Sequence, residues 1–191
     1  MNEFLSFFLV IILTFIILNK ELYKNKDLER VVSSQDGVGY LVRNLPDSGI
    51  ASNKLAEINN RVSKLIDSLD KEKKDVIRIV NRYNPNNLSE TVPGSLYKSY
   101  SVNKGEQIAI CLRDPKDNSF EDINIIMFVV IHEIAHIMTE TVGHDKTFWE
   151  NMRFLLIEGQ KIGIYVPIDY SKENAKYCGM YVKSTPYDFK K

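Results

Sequence analysis

The sequence is organised around the stretch IHEIAH at positions 131–136. Residues four apart lie on the same face of an α-helix, so His132 and His136 can present their imidazoles side by side. Glu133 lies about 100° further round the helix, beside the two imidazoles. This His-Glu-x-x-His spacing lets two nitrogens bind a zinc ion and keeps a carboxylate next to the metal as a general base.

A third histidine follows the helical pair. His144 comes directly after Gly143, and glycine permits the sharp reversal that returns a third imidazole to the same ion. A bare His-Glu-x-x-His occurs by chance, and helical histidines are often polar residues on a wet face. The apolar run before the motif and the position of the third histidine favour a metal site. We predict one Zn²⁺ per chain, bound by His132, His136 and His144, with Glu133 as the catalytic residue.

The segment resembles the zinc-dependent metallopeptidases of the WLM and SprT-like group. That group is similar in its His-Glu-x-x-His, its third histidine after a helix end and the Phe or Trp that follows. The matching residues are His132, Glu133, His136, His144, Phe148 and Trp149. Segments 42–46 and 177–179 look most like small WLM-type proteins of large DNA viruses. The resemblance covers roughly residues 40–187. It implies an α+β, zincin-like domain with a central His-Glu-x-x-His helix and a small antiparallel sheet.

The charge balance indicates whether nucleic acid is a partner of this protein. Lys plus Arg number 25 and Asp plus Glu number 25, so the net charge is zero. A nucleic-acid surface requires a basic excess. The resemblance implies a protein or peptide substrate. Cellular members of the group act on proteins crosslinked to DNA, but this composition gives no indication of a nucleic-acid partner.

The chain has two cysteines, Cys111 and Cys178. Two are too few for a disulfide framework. Cys111 lies in the apolar run 108–112. We therefore predict that it is a buried small hydrophobic residue.

The N-terminal stretch is almost wholly apolar between residues 4 and 18. Fifteen helical residues span about 22 Å, short of a bilayer core of about 30 Å. A cleaved signal peptide would need a basic start and a small-residue cleavage site, whereas this chain begins Met-Asn-Glu. The pattern therefore favours an uncleaved transmembrane helix at residues 1–20, in contact with the lipid bilayer through residues 4–18, over a signal peptide or a buried globular helix.

Basic residues follow that stretch, and they predict its orientation. Lys20, Lys24, Lys26 and Arg30 place the rest of the chain in the cytoplasm by the positive-inside rule, although a basic stretch is also often just a solvated linker. We predict a single-pass membrane protein with a juxtamembrane linker at residues 21–39 and a zinc metallopeptidase domain at residues 40–191.

Hydrophobic periodicity predicts the remaining elements. Helices are expected from Ser52, at about residues 71–82, 120–141 and 146–161, with a capping box beginning at Ser119. Strands are expected at residues 95–102 and 106–112 around a turn at 103–105. The resemblance implies that strand 106–112 pairs with an extended substrate.

Three neutral imidazoles leave an open position on a tetrahedral zinc, which is typical of a catalytic site. Glu133 would then take a proton from zinc-activated water. Candidate phenols for assisting the oxyanion are Tyr165, Tyr170, Tyr177 and Tyr181. Asp145 is expected either to orient a histidine or to cap the following helix.

Two other functions stay open. One is a tethered zinc-binding interaction module without turnover, although binding alone does not require Glu133. The other is a lumenal processing protease, which requires the reverse membrane topology.

Overall fold

The computed structural model describes residues 7, 12–14 and 27–189. Within this part, the helices are α1 (Ser48–Ser68), α2 (Lys74–Arg82), α3 (Ile123–Met138) and α4 (Lys146–Lys161), with a 3-10 turn at Pro85–Asn87. The strands are β1 (Leu28–Val32), β2 (Gly39–Arg43), β3 (Leu88–Glu90), β4 (Tyr100–Val102), β5 (Gln107–Ile110), β6 (Ala175–Tyr177) and β7 (Met180–Val182). The fold class is therefore α+β, as the sequence predicts.

The main sheet has the strand order β1-β2-β3-β5-β4. The β1–β2 and β4–β5 pairs are antiparallel, whereas β2–β3 and β3–β5 are parallel. The expected small antiparallel sheet is thus a mixed sheet, with a separate β6–β7 hairpin. Parallel neighbours need a crossover connection, and α1 and α2 supply it between β2 and β3.

The sheet begins before residue 40. Strand β1 pairs with β2 from Leu28 opposite Arg43 to Val32 opposite Gly39. These residues fall in the stretch that the sequence analysis assigns to a linker. The first strand therefore belongs to the same sheet as the strands beside the histidines.

Helix α3 is the buried centre of the fold. It packs against α4 and α2, and Ile126, Ile131, Ile134 and Ile137 have no solvent exposure. It begins at Ile123, three residues after the expected start at about residue 120, because the Asp122 side chain caps it by accepting from two main-chain N–H groups. A helix surrounded by apolar contacts on nearly every side is held rigidly, so its histidines have a fixed base.

The helix ends at Met138, three residues before the expected end. Thr139 is extended, and its hydroxyl donates to the Ala135 carbonyl at 2.8 Å. The Lys104 ammonium, in the β4–β5 turn, donates to the carbonyls of Thr139 and Thr141 at 2.9 and 2.7 Å. A cation at these carbonyls stabilises the helix end and links it to the edge of the sheet.

The expected transmembrane helix is overturned by the structure. None of the helices in the described part of the chain is both long and apolar enough to cross a membrane. Helix α3, the most apolar, has 16 residues, about 24 Å. Within the predicted span, residues 4–6, 8–11 and 15–18 lie outside the described residues. Two predictions that depended on this helix are therefore not supported. They are the lipid contact of residues 4–18 and the localisation as a single-pass membrane protein with a cytoplasmic domain.

The two cysteines form a disulfide, Cys111–Cys178. The expectation that Cys111 is only a buried hydrophobic residue is therefore wrong. The bond joins the end of β5 to the turn of the β6–β7 hairpin, across a sequence separation of 67. It therefore fixes the C-terminal hairpin to the sheet.

Candidate metal centre

The three histidines converge on one point. Nε2 of His144 lies 3.1 Å from Nε2 of His132 and 3.1 Å from Nε2 of His136. Nitrogens bound tetrahedrally to one zinc at about 2.0–2.1 Å are separated by about 3.3–3.4 Å. The spacing of these nitrogens therefore suits a single small metal ion, and the neutral imidazole set suits zinc.

Local structure brings the third imidazole to the other two. His132 and His136 lie one helical turn apart on α3, and the chain then reverses at Gly143, whose φ is +92°. A residue with a side chain is strained at this φ, which accounts for glycine here. Asp145 caps α4 by accepting from the Phe148 N–H at 2.9 Å and also accepts from the Thr141 hydroxyl at 2.7 Å. Of its two expected roles, the structure shows the helix cap.

Phe148 packs against all three imidazoles. Its ring centroid lies 4.9 Å from that of His132, 4.4 Å from that of His136 and 4.6 Å from that of His144. Phe148 is fully buried, whereas Trp149 is 41% exposed and lies 5.4 Å from His144. The sequence marks these rings only through the family resemblance. In the structure, Phe148 limits the directions in which the imidazoles can turn.

Burial keeps two of the imidazoles neutral. It lowers the pKa of His132 to about 3, helped by the charges that His136 and His144 would carry. It likewise lowers the pKa of His136 to about 4. Only a deprotonated imidazole nitrogen can bind a metal, so the lowered pKa values prepare these two residues as ligands.

Glu133 lies beside the tripod with its side chain almost fully buried. Burial raises its pKa to about 7, against a hydrogen bond from the backbone of Ser101 that lowers it. A carboxylate poised near neutral pH both accepts and returns protons readily. Its position next to His132 and its altered acidity are the properties expected of a general base.

A groove runs past the tripod. Two adjoining cavities of about 570 and 560 Å³ share His132, Glu133 and His144 in their walls. Strand β4 forms one wall and ends the sheet, whereas β5 lies between β3 and β4. The expected substrate-pairing strand at residues 106–112 is therefore misplaced. The free edge beside the histidines belongs to β4.

Two of the four candidate tyrosines line the groove in the structure, and two do not. Tyr165 and Tyr170 are buried against Phe128, away from the groove-lining set. Tyr177 and Tyr181 line the groove. The Tyr177 phenol is held by the Ser99 hydroxyl and donates to the Cys111 carbonyl, both at 2.8 Å, and burial raises its pKa.

Tyr97 and Tyr100 also line the groove. Neither was singled out from the sequence, where both fall in the expected strand at residues 95–102 and outside any metal-site motif. Tyr97 is 68% exposed and belongs to both cavities beside the histidines. The available signal was Tyr97, three residues before the edge strand, and Tyr100, the first residue of that strand.

Two imidazoles and a glutamate on one buried helix, together with a third imidazole from the loop that follows it, define a metallopeptidase-like site. The WLM domain model matches residues 43–180. The chain belongs to the WLM domain family. The family is zinc-dependent, which agrees with the chemistry of the histidine cluster.

Relatives and solved structures agree with this family. An uncharacterized protein of Acanthamoeba polyphaga mimivirus is 35% identical over 150 residues, which cover 75% of this chain and 76% of that protein. An uncharacterized protein of Invertebrate iridescent virus 6 is 37% identical over 84 residues, covering 42% of this chain and 45% of that protein. The crystal structure of Wss1 from Saccharomyces cerevisiae matches with a TM-score of 0.52 at 26% identity, over 64% of this chain and 87% of that chain. The resemblance to WLM-type proteins of large DNA viruses is confirmed.

Proposed function

We propose that the protein is a zinc-dependent peptidase that hydrolyses peptide bonds in protein or peptide substrates. The observation that carries the proposal is the buried carboxylate of Glu133 beside three imidazole nitrogens that converge on one point. His132, His136 and His144 would hold the ion. Three protein ligands leave a fourth position for water or substrate.

The chain's own groups account for the proton transfers. A zinc ion bound here supplies Lewis acidity, which polarises the scissile carbonyl and makes the attacking water acidic near neutral pH. Glu133 accepts the proton of that water and then donates it to the departing amine nitrogen. Its pKa of about 7, raised by burial, suits both directions of transfer.

The groove suits an extended peptide. Strand β4 offers its outer edge for main-chain hydrogen bonds, as in strand addition. Exposed apolar side chains stand around the histidines, with Leu96 at 93%, Met180 at 48% and Tyr181 at 59% exposure. Large exposed apolar groups at a groove commonly mark a binding surface. We therefore expect the site to favour substrates with a bulky apolar side chain near the cleaved bond.

A zinc-binding module without turnover is the second candidate. The histidine tripod alone would serve such a module. A buried glutamate whose pKa lies near neutrality has no role in it and is unfavourable to bury. Glu133 therefore favours the peptidase. The lumenal protease depended on a transmembrane helix, which the described part of the chain does not contain, and we do not propose it.

The metal part of the proposal is tested by zinc analysis of the full chain. We expect about one zinc per chain and strongly reduced zinc after His136→Ala or His144→Ala, because each change removes one of three ligands. Treatment with a chelator should remove the zinc and the peptidase activity together, and added zinc should restore both. Full zinc content in the His144→Ala protein would remove His144 from the ligand set.

A further inference from the structure

A second, smaller cavity lies next to the groove. It has a volume of about 70 Å³ and lies between the end of β2, the segment at residues 91–98 and the Cys111–Cys178 disulfide. Water has a share of about 30 Å³ in the liquid, so the cavity has room for a small ionic group. Tyr97 and Lys98 line both this cavity and the groove that contains His132 and Glu133.

The charged residues that line the small cavity are all basic: Arg43, Lys98 and Arg113. None of its lining residues, all within the described chain, is acidic. The cavity is also lined by Thr91 and Ser95, which carry hydroxyl groups. Arg113 is ion-paired with Asp47 and Glu90, so the three cations exceed the neighbouring carboxylates by one positive charge. This excess attracts an anion, and guanidinium groups match the geometry of an oxyanion.

Arg113 has an unused donor in this region. Its side chain is 1% exposed, and Nε donates to Glu90 at 2.9 Å while Nη1 donates to Asp47 at 2.6 Å. Nη2 is buried and has no hydrogen-bond partner in the described chain. The guanidinium packs on the Phe120 ring, with Cζ 4.1 Å from the ring centroid. A ring face is a weaker partner than a hydrogen-bond acceptor, so an acceptor in the cavity would still stabilise Nη2.

The same cavity is lined by the other two cations, Arg43 and Lys98. Arg43 is held in position by Nη1, which donates to the Asn118 amide oxygen at 2.9 Å. Lys98 is half-buried, and its carbonyl is fixed by the Thr91 hydroxyl at 2.8 Å. Arg43 also interacts with the carboxylates of Asp47 and Glu90, which it shares with Arg113. Lys98 therefore adds the positive charge that these two carboxylates do not balance.

We propose that this cavity is a binding site for one oxyanion of carboxylate or phosphate size. Its source is either an acidic side chain of a peptide bound in the groove or a free small anion. The shared walls favour the acidic side chain, because a peptide beside Tyr97 passes the mouth of the cavity. Only this source rests on the proposed peptidase function.

The first arm of the test measures phosphate binding to the full chain by titration calorimetry. Lys98→Gln removes one cation and should weaken binding about tenfold or more, since a hydrogen bond to a charged group is lost. Lys183→Gln is the matched control, because Lys183 lines the groove but not the small cavity. It should change the affinity by less than about threefold, as expected for an exposed charge. Arg43→Gln is a second variant with the same expectation as Lys98→Gln.

The second arm uses peptide pairs that differ by Asp against Asn at successive positions from the cleaved bond. One position should show a KM about tenfold lower for Asp, and the preference should vanish in Lys98→Gln but persist in Lys183→Gln. Phosphate binding that depends on Lys98, without any preference for Asp, assigns the site to a free anion and overturns the peptide source.

Equal phosphate affinity in wild type and Lys98→Gln, with no preference for Asp, would overturn the site altogether. A chain that cleaves no peptide would count against the proposed function, while the phosphate arm would still decide the anion site.

Discussion

The two walls of the groove are built differently. One wall consists of α3 and the loop at residues 142–144, which carries His144, and Phe148 of α4 packs against the three imidazoles from the core. The other consists of β4, residues 95–99 and the β6–β7 hairpin, all short elements with exposed side chains. The helical wall is fixed by local hydrogen bonds and burial, whereas the strand wall depends on a few long-range links.

Because the two walls are built differently, we expect them to have different functions. A tripod of metal ligands must stay within a few tenths of an ångström of its geometry, and a buried helix supplies that rigidity. A substrate-binding wall must accept varied side chains, and short, exposed strands suit that purpose. Changes in the helical wall should therefore affect stability and metal together, and changes in the strand wall should affect substrate binding first.

The largest effect is expected at Phe148, the ring that touches all three imidazoles. Phe148→Ala should destabilise the fold by about 3–5 kcal/mol, since it leaves a cavity in the core. It should also weaken zinc binding, because the imidazoles lose the surface that limits their rotation. Denaturant unfolding and competition with a chelator measure the two effects.

Phe148→Leu is the control, since it keeps most of the buried volume and should cost less. Unchanged zinc affinity in a folded Phe148→Ala protein would mean that the ring does not orient the ligands.

The Cys111–Cys178 disulfide belongs to the strand wall, so its removal tests whether that wall is independent of the helical wall. Replacing Cys111 and Cys178 together by serine should lower the free energy of unfolding by about 2–4 kcal/mol, because a long loop is no longer closed. Zinc content at 25 °C should stay near one per chain, since neither cysteine belongs to the histidine cluster. A rise in KM is expected, because the β6–β7 hairpin loses its link to the sheet. Loss of zinc in the folded double variant would contradict the independence of the two walls.

Lys104 links the walls. Its ammonium joins the β4–β5 turn to the carbonyls after α3, so Lys104→Met should destabilise the protein by about 1.5 kcal/mol. Thermal unfolding of Lys104→Met and of the exposed control Lys64→Met would measure this. Equal melting temperatures would show that the link contributes nothing.

The smallest effect is expected at the cap of α4. Asp145→Ala removes the acceptor for the Phe148 N–H and should cost about 1 kcal/mol. Asp145→Asn keeps the capping acceptor and should retain most of the stability. If Asp145→Asn lowers zinc affinity as strongly as Asp145→Ala, the residue acts on His144 through its charge and not as a cap.

The helical wall was largely predictable from the sequence. The spacing of His132 and His136 and the apolar run before them are local patterns, and local patterns specify helices. The bounds of α4 at residues 146–161 follow in the same way from Asp145 and the apolar side of that helix. Gly143 marked the reversal that brings His144 back.

The β4–β5 hairpin was predictable from its turn at residues 103–105, but the rest of the strand wall was not, because its partners lie far apart in the chain. Cys111 and Cys178 are 67 residues apart, and nothing local to either indicates the pairing. The order that leaves β4 and not β5 at the edge depends on parallel pairing with β3. The buried Arg113–Glu90 pair likewise joins two strand ends that look like ordinary surface charges in the sequence.

The central claim is that Glu133 transfers the proton in a zinc-dependent hydrolysis. The most direct test compares full-length wild type with Glu133→Gln, which keeps the size of the side chain and removes the proton acceptor. We expect unchanged zinc content and thermal stability no lower than wild type, since a buried ionisable group is replaced by a neutral one. Peptide hydrolysis should fall by about 10²–10⁴-fold. Hydrolysis at the wild-type rate in zinc-loaded Glu133→Gln protein would contradict the claim.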